Sequence, residues 1–278
     1  MKNINSSSLD LSASNIDDLR FIKQYKEVSR LNLNSNQIKD ISPLKDMQQL
    51  THLDLGDNPF TDLSPLSPLK FLTHLQLDYN RLTGISALSR LKSLTHLVLS
   101  GEQPLDISPL GQLQNLTYLE IKYHCLTDIS PLSRLQRLTA LHLINNRVTD
   151  ISPLALLPGL TVLQLYHNQI TDIAPLSSLK NLKHLALGNN RIVDISPLKG
   201  LVNLNELGLS KNWIMDISPL AHLKNLERVY LGSIPGDDYS PLFELKGLKY
   251  LHLSREQIYD DEKEALSRAL PGLTVYME

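Results

Sequence analysis

Leucines recur along the chain in pairs two residues apart, as in Leu31/Leu33, Leu53/Leu55 and Leu75/Leu77, and the pair returns every 22 residues. Alternation of this kind predicts a short strand with one buried face. Leu53 and Leu55 then point inward while His52 and Asp54 point out. The pair can be followed from Leu9/Leu11 to Leu273/Val275, thirteen copies with no insertion. After most pairs comes an asparagine, often an isoleucine two residues on, and then a string such as "DISPL", ending at Leu44 in the first core copy and at Leu242 in the tenth. In that string Ser42 is placed to cap, and Pro43 to open, a short helical or 3₁₀ turn. Apolar pairs three apart, Met47/Leu50 and Leu69/Leu72, close the back of each coil. One coil of 22 residues cannot bury these side chains alone, so neighbouring coils must stack.

The unit L-x-x-L-x-x-L-x-L-x-x-N-x-I-x-D-I-S-P-L resembles the leucine-rich repeats of bacterial internalins and of phosphatase regulatory subunits. That resemblance implies an α/β solenoid: a right-handed superhelix with a parallel sheet on its concave face and short helical or 3₁₀ turns on its convex face. Residues 1–8 are expected to be a disordered tail and 9–278 a single leucine-rich-repeat domain. Within it, 9–30 read as an N-terminal capping repeat with an amphipathic helix over Asp17 to Val28. Residues 31–252 are the regular repeats, and 253–278 form a capping helix and strand, with acidic residues opening the helix at Asp260 and Pro271-Gly272 ending it.

Two columns are predicted to be structural. Asparagines at 36, 58, 80, 146, 168, 190 and 212 sit where a buried amide can satisfy backbone groups of adjacent coils. Eleven aspartates recur at the same spacing, from Asp18 to Asp260, with Gly84 in the remaining place. Like charges about 5 Å apart repel by only about 0.8 kcal/mol in water, and each carboxylate can accept turn N–H groups, so the column is not read as a calcium site. The asparagine column is broken at Glu102 and His124, which are predicted to hydrogen-bond to each other. Cys125, the single cysteine, is therefore assigned no reactivity, and it requires no oxidising compartment.

The formal charge of −2 selects no partner class. Setting aside the aspartate column, 18 acidic residues face 27 basic ones, and much of the excess lies on the back of the coils, which carries Lys45, Lys70, Arg90, Lys92, Arg134, Arg137, Lys180, Lys199, Lys224 and Lys246. An anionic surface or a nucleic acid could use such a face. Lysines near the ends of helical turns explain it as well, and nucleic acid is not the expected partner.

The outward strand positions and the two residues after each strand hold 14 of the 19 tyrosines and histidines. Such side chains combine large area, few rotatable bonds and a polar tip, which favours binding hot spots. The expected partner-binding residues on this face are Tyr79, Tyr118, Glu120, Lys122, Tyr123, His142, Tyr166, His167, Lys211, Arg228, Tyr230 and Tyr250. Asp54, Asp57 and Asp78 precede Lys211, Arg228 and Arg255, a polarity that would orient a partner. His52, His74 and His96 share a column but lack further ligands, so no metal or other cofactor is expected.

With no glycine-rich phosphate loop, zinc-protease helix or distinctive nucleophile, an enzyme is not expected. The expected function is non-catalytic binding of a protein, not a small molecule, by a monomer. The phosphatase-regulatory resemblance implies a regulatory or scaffolding role, which is the one expected in the absence of a signal segment; the alternative, implied by the internalin resemblance, is an adhesin or effector that recognises a host protein. The start lacks an apolar signal core and no stretch is long enough to span a membrane, so a cytoplasmic location is expected unless the chain is a fragment or is exported by another route.

Overall fold

The computed structural model describes residues 4–5, 7–255, 258 and 260–277. By its contacts the chain divides into two compact units, Met1–Leu138 and Thr139–Glu278.

In the first unit, strand β1 (Ile4–Asn5) precedes β2 (Ser8–Asp10), β3 (Arg30–Asn32), β4 (His52–Asp54), β5 (His74–Asp78), β6 (His96–Ser100) and β7 (Tyr118–Lys122). Strands β2 to β7 pair in parallel, each leucine opposite its equivalent in the next coil: Leu9 to Leu31, Leu53 to Leu75, Leu97 to Leu119. These leucines are buried, as are Leu33, Leu55 and Leu99 two residues on, which is the inward alternation the sequence predicts. The second unit repeats the plan with β8 (Ala140–His142), β9 (Val162–Gln164), β10 (His184–Ala186), β11 (Glu206–Gly208), β12 (Arg228–Tyr230), β13 (Tyr250–Leu253), helix α1 (Asp260–Ala269) and β14 (Thr274–Met277). Its strands are also parallel and in register, from Leu163 opposite Leu185 to Leu251 opposite Val275. Both units are leucine-rich-repeat solenoid coils with 3₁₀ turns opposite the sheet.

Most turns begin at a serine-proline pair, as in Ser42–Asp46, where the Leu44 N–H donates to the Ile41 carbonyl at 3.0 Å and Met47 to Leu44 at 2.9 Å. The expected serine cap is not what holds it. Asp40 Oδ1 accepts the Ser42 N–H at 2.8 Å, and its Oδ2 accepts the Ser42 hydroxyl at 2.9 Å. The aspartate thus serves the turn, and the pattern recurs at Asp62, Asp106, Asp194 and Asp216. Where alanine replaces serine, the Ala174 N–H still donates to Asp172 at 2.8 Å. Serine hydrogen bonds hold the Asp62, Asp150, Asp216 and Asp238 carboxyls below their ordinary range.

The N-terminal region departs from expectation twice. Residues 1–3 and 6 lie outside the described residues, but Ile4–Asn5 pairs antiparallel with Ser8–Leu9 and so belongs to the sheet, satisfying an edge strand that would otherwise present unpaired backbone groups. The segment Arg20–Tyr25 is a 3₁₀ helix rather than an amphipathic α-helix. Leu19 and Ile22 are buried three residues apart, the period of a 3₁₀ turn, whereas Leu266 of α1 and Leu270 just beyond its end are buried four apart. The C-terminal segment holds a helix and a strand, Asp260–Ala269 and Thr274–Met277; 256, 257, 259 and 278 lie outside the described residues.

The asparagine column forms a ladder. Asn190 Nδ2 donates to the carbonyls of Leu187 at 2.9 Å and Leu165 at 3.0 Å, and its Oδ1 accepts the Ile170 N–H at 3.0 Å. Asn58, Asn168 and Asn212 do the same in their coils. Around the break the pattern changes. Glu102 is exposed and does not pair with His124; instead His124 Nδ1 donates to the Gln103 carbonyl at 2.8 Å, and burial lowers its imidazole pKa, favouring the neutral form. Asn80 Nδ2 is buried with no acceptor among the described residues. Strands β5, β6 and β7 each run five residues here, against three in β3 and β4, so backbone pairing takes over part of what the amides do elsewhere.

Candidate functional site

The two outward registers of each strand place the rings. In the first unit His52, His74 and His96 stack with centroids 4.0 and 4.1 Å apart, and Tyr118 continues the column at 5.8 Å. A threonine before each histidine orients it: Thr51, Thr73 and Thr95 each give their hydroxyl hydrogen to the carbonyl one coil back, at 3.0 to 3.2 Å. Each ring Nδ1 lies 2.9 Å from that same hydroxyl oxygen, so Nδ1 carries the proton and Nε2 is left as an acceptor. Burial and the flanking imidazoles pull His74 down to about 4, and burial lowers His52. At neutral pH His52 and His74 are therefore uncharged members of an aromatic ribbon. Among the described residues, no group of histidine, cysteine or acidic side chains is arranged to hold a metal.

Three of the expected residues meet at the end of this ribbon. Tyr118 donates its hydroxyl to Glu120 Oε2 at 2.8 Å, and Lys122 Nζ lies 2.7 Å from Glu120 Oε1. Burial, with Glu120 adding to it, raises the Tyr118 phenol well above its ordinary range, so it remains a donor.

In the second unit Tyr230 stacks on His252 at 4.3 Å and His252 on Tyr276 at 4.6 Å. Arg228 lies over the Tyr250 ring, 5.1 Å from its centroid. Tyr166, His167, Lys211 and Tyr230 all line one hollow of about 610 Å³. Composition patterning misses the reason the hollow exists. At the register that holds Tyr230 and His252, β10 and β11 carry Ala186 and Gly208, and Gly188 and Ser210 follow. Searching for large side chains overlooks such a floor; a run of small residues at outward strand positions is the signal that finds it. His184 and Glu206, also outside the expected set, form its side, with His184 Nδ1 3.4 Å and Arg228 3.9 Å from Glu206.

Tyr79, Tyr123, His167 and Lys211 share a further property. All adopt left-handed backbone, with φ from 53° to 63°, at the residue where the chain leaves the strand. Such a conformation is uncommon outside glycine, asparagine and aspartate. It is held because the N–H must reach the next coil: Tyr79 to Ser100 at 2.7 Å, His167 to Gly188 at 3.0 Å, Lys211 to Gly232 at 2.8 Å. Tyr79 and Tyr123 are thereby exposed at turns, not gathered with the ribbon, and His142 stands half-buried on β8 outside the hollow. On the opposite side, Lys92, Lys180, Lys224 and Lys246 donate to carbonyls of the following coil at 3.1 to 3.4 Å, which gives these cations a structural task.

Models of leucine-rich repeats match residues 26–68, 158–200 and 48–103. The crystal structure of an internalin, InlF of Listeria monocytogenes, is 34% identical with a TM-score of 0.86, covering 97% of this chain and 79% of that one. A leucine-rich-repeat protein of Leptospira interrogans is 28% identical with a TM-score of 0.79, covering 92% and 74%. The functional domain of InlJ from Listeria monocytogenes, at 22% identity and a TM-score of 0.75 over 98% of this chain and 63% of that one, shares the fold. No curated protein matches the chain.

Proposed function

The chain belongs to the internalin-like leucine-rich-repeat proteins, and on that premise we propose that it is a non-catalytic module that binds a protein partner through its sheet face. The observation that carries this reading is the preordered ring surface: His52, His74 and His96 locked by threonines, and Tyr230 locked by His252 and Tyr276. Rings already held in place lose little rotamer freedom on binding, and their edges keep polar atoms for a partner. The contact residues of this proposal are the twelve expected from the sequence, with Tyr118, Glu120 and Lys122 as one cluster and Tyr166, His167, Lys211 and Tyr230 as another. Among the described residues no helix is long and apolar enough to cross a membrane.

Replacing Tyr118, Tyr123 and Tyr166 together by alanine is expected to abolish affinity capture of the partner that the unmodified chain retains, with the melting temperature changed by no more than a few degrees. Capture that survives the triple change refutes the reading. The identity to an internalin favours recognition of a host protein over a regulatory or scaffolding role inside the cell. Recovery of the chain from culture medium supports the first, and its confinement to the cytosolic fraction the second.

A further inference from the structure

We propose that the hollow on the sheet face of the second unit is a socket for one aromatic side chain of a protein partner, and that an acidic residue adjoining that side chain pairs with Lys211. This rests on the interaction-module reading and names the chemistry its partner must present.

The hollow is not imposed by the fold. A Cβ added at Gly208 would meet nothing nearer than Ala186, at 3.7 Å from its Cα and 3.9 Å from its Cβ, which is ordinary contact. The equivalent positions one and two coils later carry Tyr230 and His252. The repeat therefore accepts large side chains in this register, and β10 and β11 leave the space open. Its volume of about 610 Å³ admits an indole or phenol with room to lie flat on the backbone floor. Its aromatic walls are fixed: Tyr230 is backed by His252, and Tyr166 meets the edge of His167 at 5.3 Å. Offset and edge-on ring contacts favour an aromatic guest over an aliphatic one.

Charge sets the rest of the guest. Glu206 already faces the Arg228 cation at 3.9 Å and contacts His184 Nδ1 at 3.4 Å. Lys211 is exposed and makes no ion pair or side-chain hydrogen bond among the described residues, while its backbone is anchored to Gly232. The uncompensated charge at the rim is positive. A partner that offers an acid beside its ring is attracted and one that offers a base is repelled.

The test is a titration of the full ¹⁵N-labelled chain with two blocked peptides, acetyl-Gly-Trp-Asp-Gly-amide and acetyl-Gly-Trp-Lys-Gly-amide. The first is expected to shift the amides of Ala186, Gly188 and Gly208 with a millimolar Kd. The second should bind about fivefold more weakly, the upper end for one exposed ion pair. Gly208→Val should remove the shifts by filling the space, with circular dichroism unchanged, and Lys211→Glu, which leaves the packing alone, should reverse the order of the two peptides. Absence of shifts at these amides, shifts that survive Gly208→Val in a folded chain, or equal binding of both peptides overturns the proposal. Capture of the same protein by the unmodified chain and by Gly208→Val defeats the socket but leaves the module reading standing; failure of the unmodified chain to capture any protein defeats the module reading itself.

Discussion

The asparagine ladder provides an internal comparison between two residues of the same kind, Asn190 and Asn80. Asn190 is buried and ties its own coil to the preceding one: its two amide hydrogens are shared among the carbonyls of Leu165, Leu187 and Gly188 at 2.9 to 3.3 Å, and its oxygen accepts the Ile170 N–H. Asn80 accepts only the Asn58 N–H, at 3.2 Å, and its buried Nδ2 has no acceptor among the described residues. Replacing Asn190 by alanine removes about three hydrogen bonds at about 1 kcal/mol each, and stranding buried backbone groups adds to the loss, so about 3 to 4 kcal/mol is expected. Replacing Asn80 removes one bond but also relieves an unpaired buried amide, whose burial costs about 1 to 3 kcal/mol, so the net change should lie within about 1 kcal/mol of zero. Equilibrium urea unfolding of the two variants, followed by far-ultraviolet circular dichroism at constant slope, measures the difference as separated midpoints. Equal losses, or a larger loss at Asn80, would show that the amides act through packing volume and not through their hydrogen bonds.

Three further outcomes are expected. Because His52 and His74 have depressed pKa values when folded, the unfolded chain binds more protons; the stability present above the ordinary imidazole range is lost as pH falls from about 6.5 toward about 4. His74→Gln should flatten that part of the pH–melting curve, and an unchanged slope would contradict a stacked His74 held neutral. In nitrogen-detected spectra at pH 7 His74 should show the Nδ1–H tautomer, and an Nε2–H signal would overturn the threonine-oriented assignment. The Asp216 carboxyl is held low by the Ser218 N–H and hydroxyl, so its contribution is present at neutral pH and is lost as pH falls through the carboxylate range. Asp216→Ala should lower the melting temperature at pH 7 and have a much smaller effect at pH 2, and an equal effect at both would exclude this role.

The coil architecture was legible because a solenoid repeats its physics: the same leucine pair must be buried by the same neighbour every 22 residues, and period, strand and turn follow from that pattern. The ladder and the aspartate column were legible for the same reason. Proline and serine propensities describe a turn in isolation and mark Ser42 as its cap, whereas in the fold the carboxylate two residues earlier accepts both the Ser42 N–H and the Ser42 hydroxyl hydrogen. The 3₁₀ form of Arg20–Tyr25 was visible only in a three-residue spacing that reads equally well as one turn of α-helix.

For the surface, the sequence alone assigned 14 of the 19 tyrosines and histidines to the strand face or the two residues after it, since alternation and the repeat period dictate side without reference to any neighbour. Which of them meet was decided by the tertiary structure. Tyr118, Glu120 and Lys122 form a closed cluster, Tyr79 and Tyr123 turn outward on left-handed backbone, and the hollow beside Lys211 exists because Ala186 and Gly208 stand next to each other across two coils. The absence of a side chain acquires meaning only beside a neighbour that has one, and adjacency between residues 22 apart is supplied by the fold.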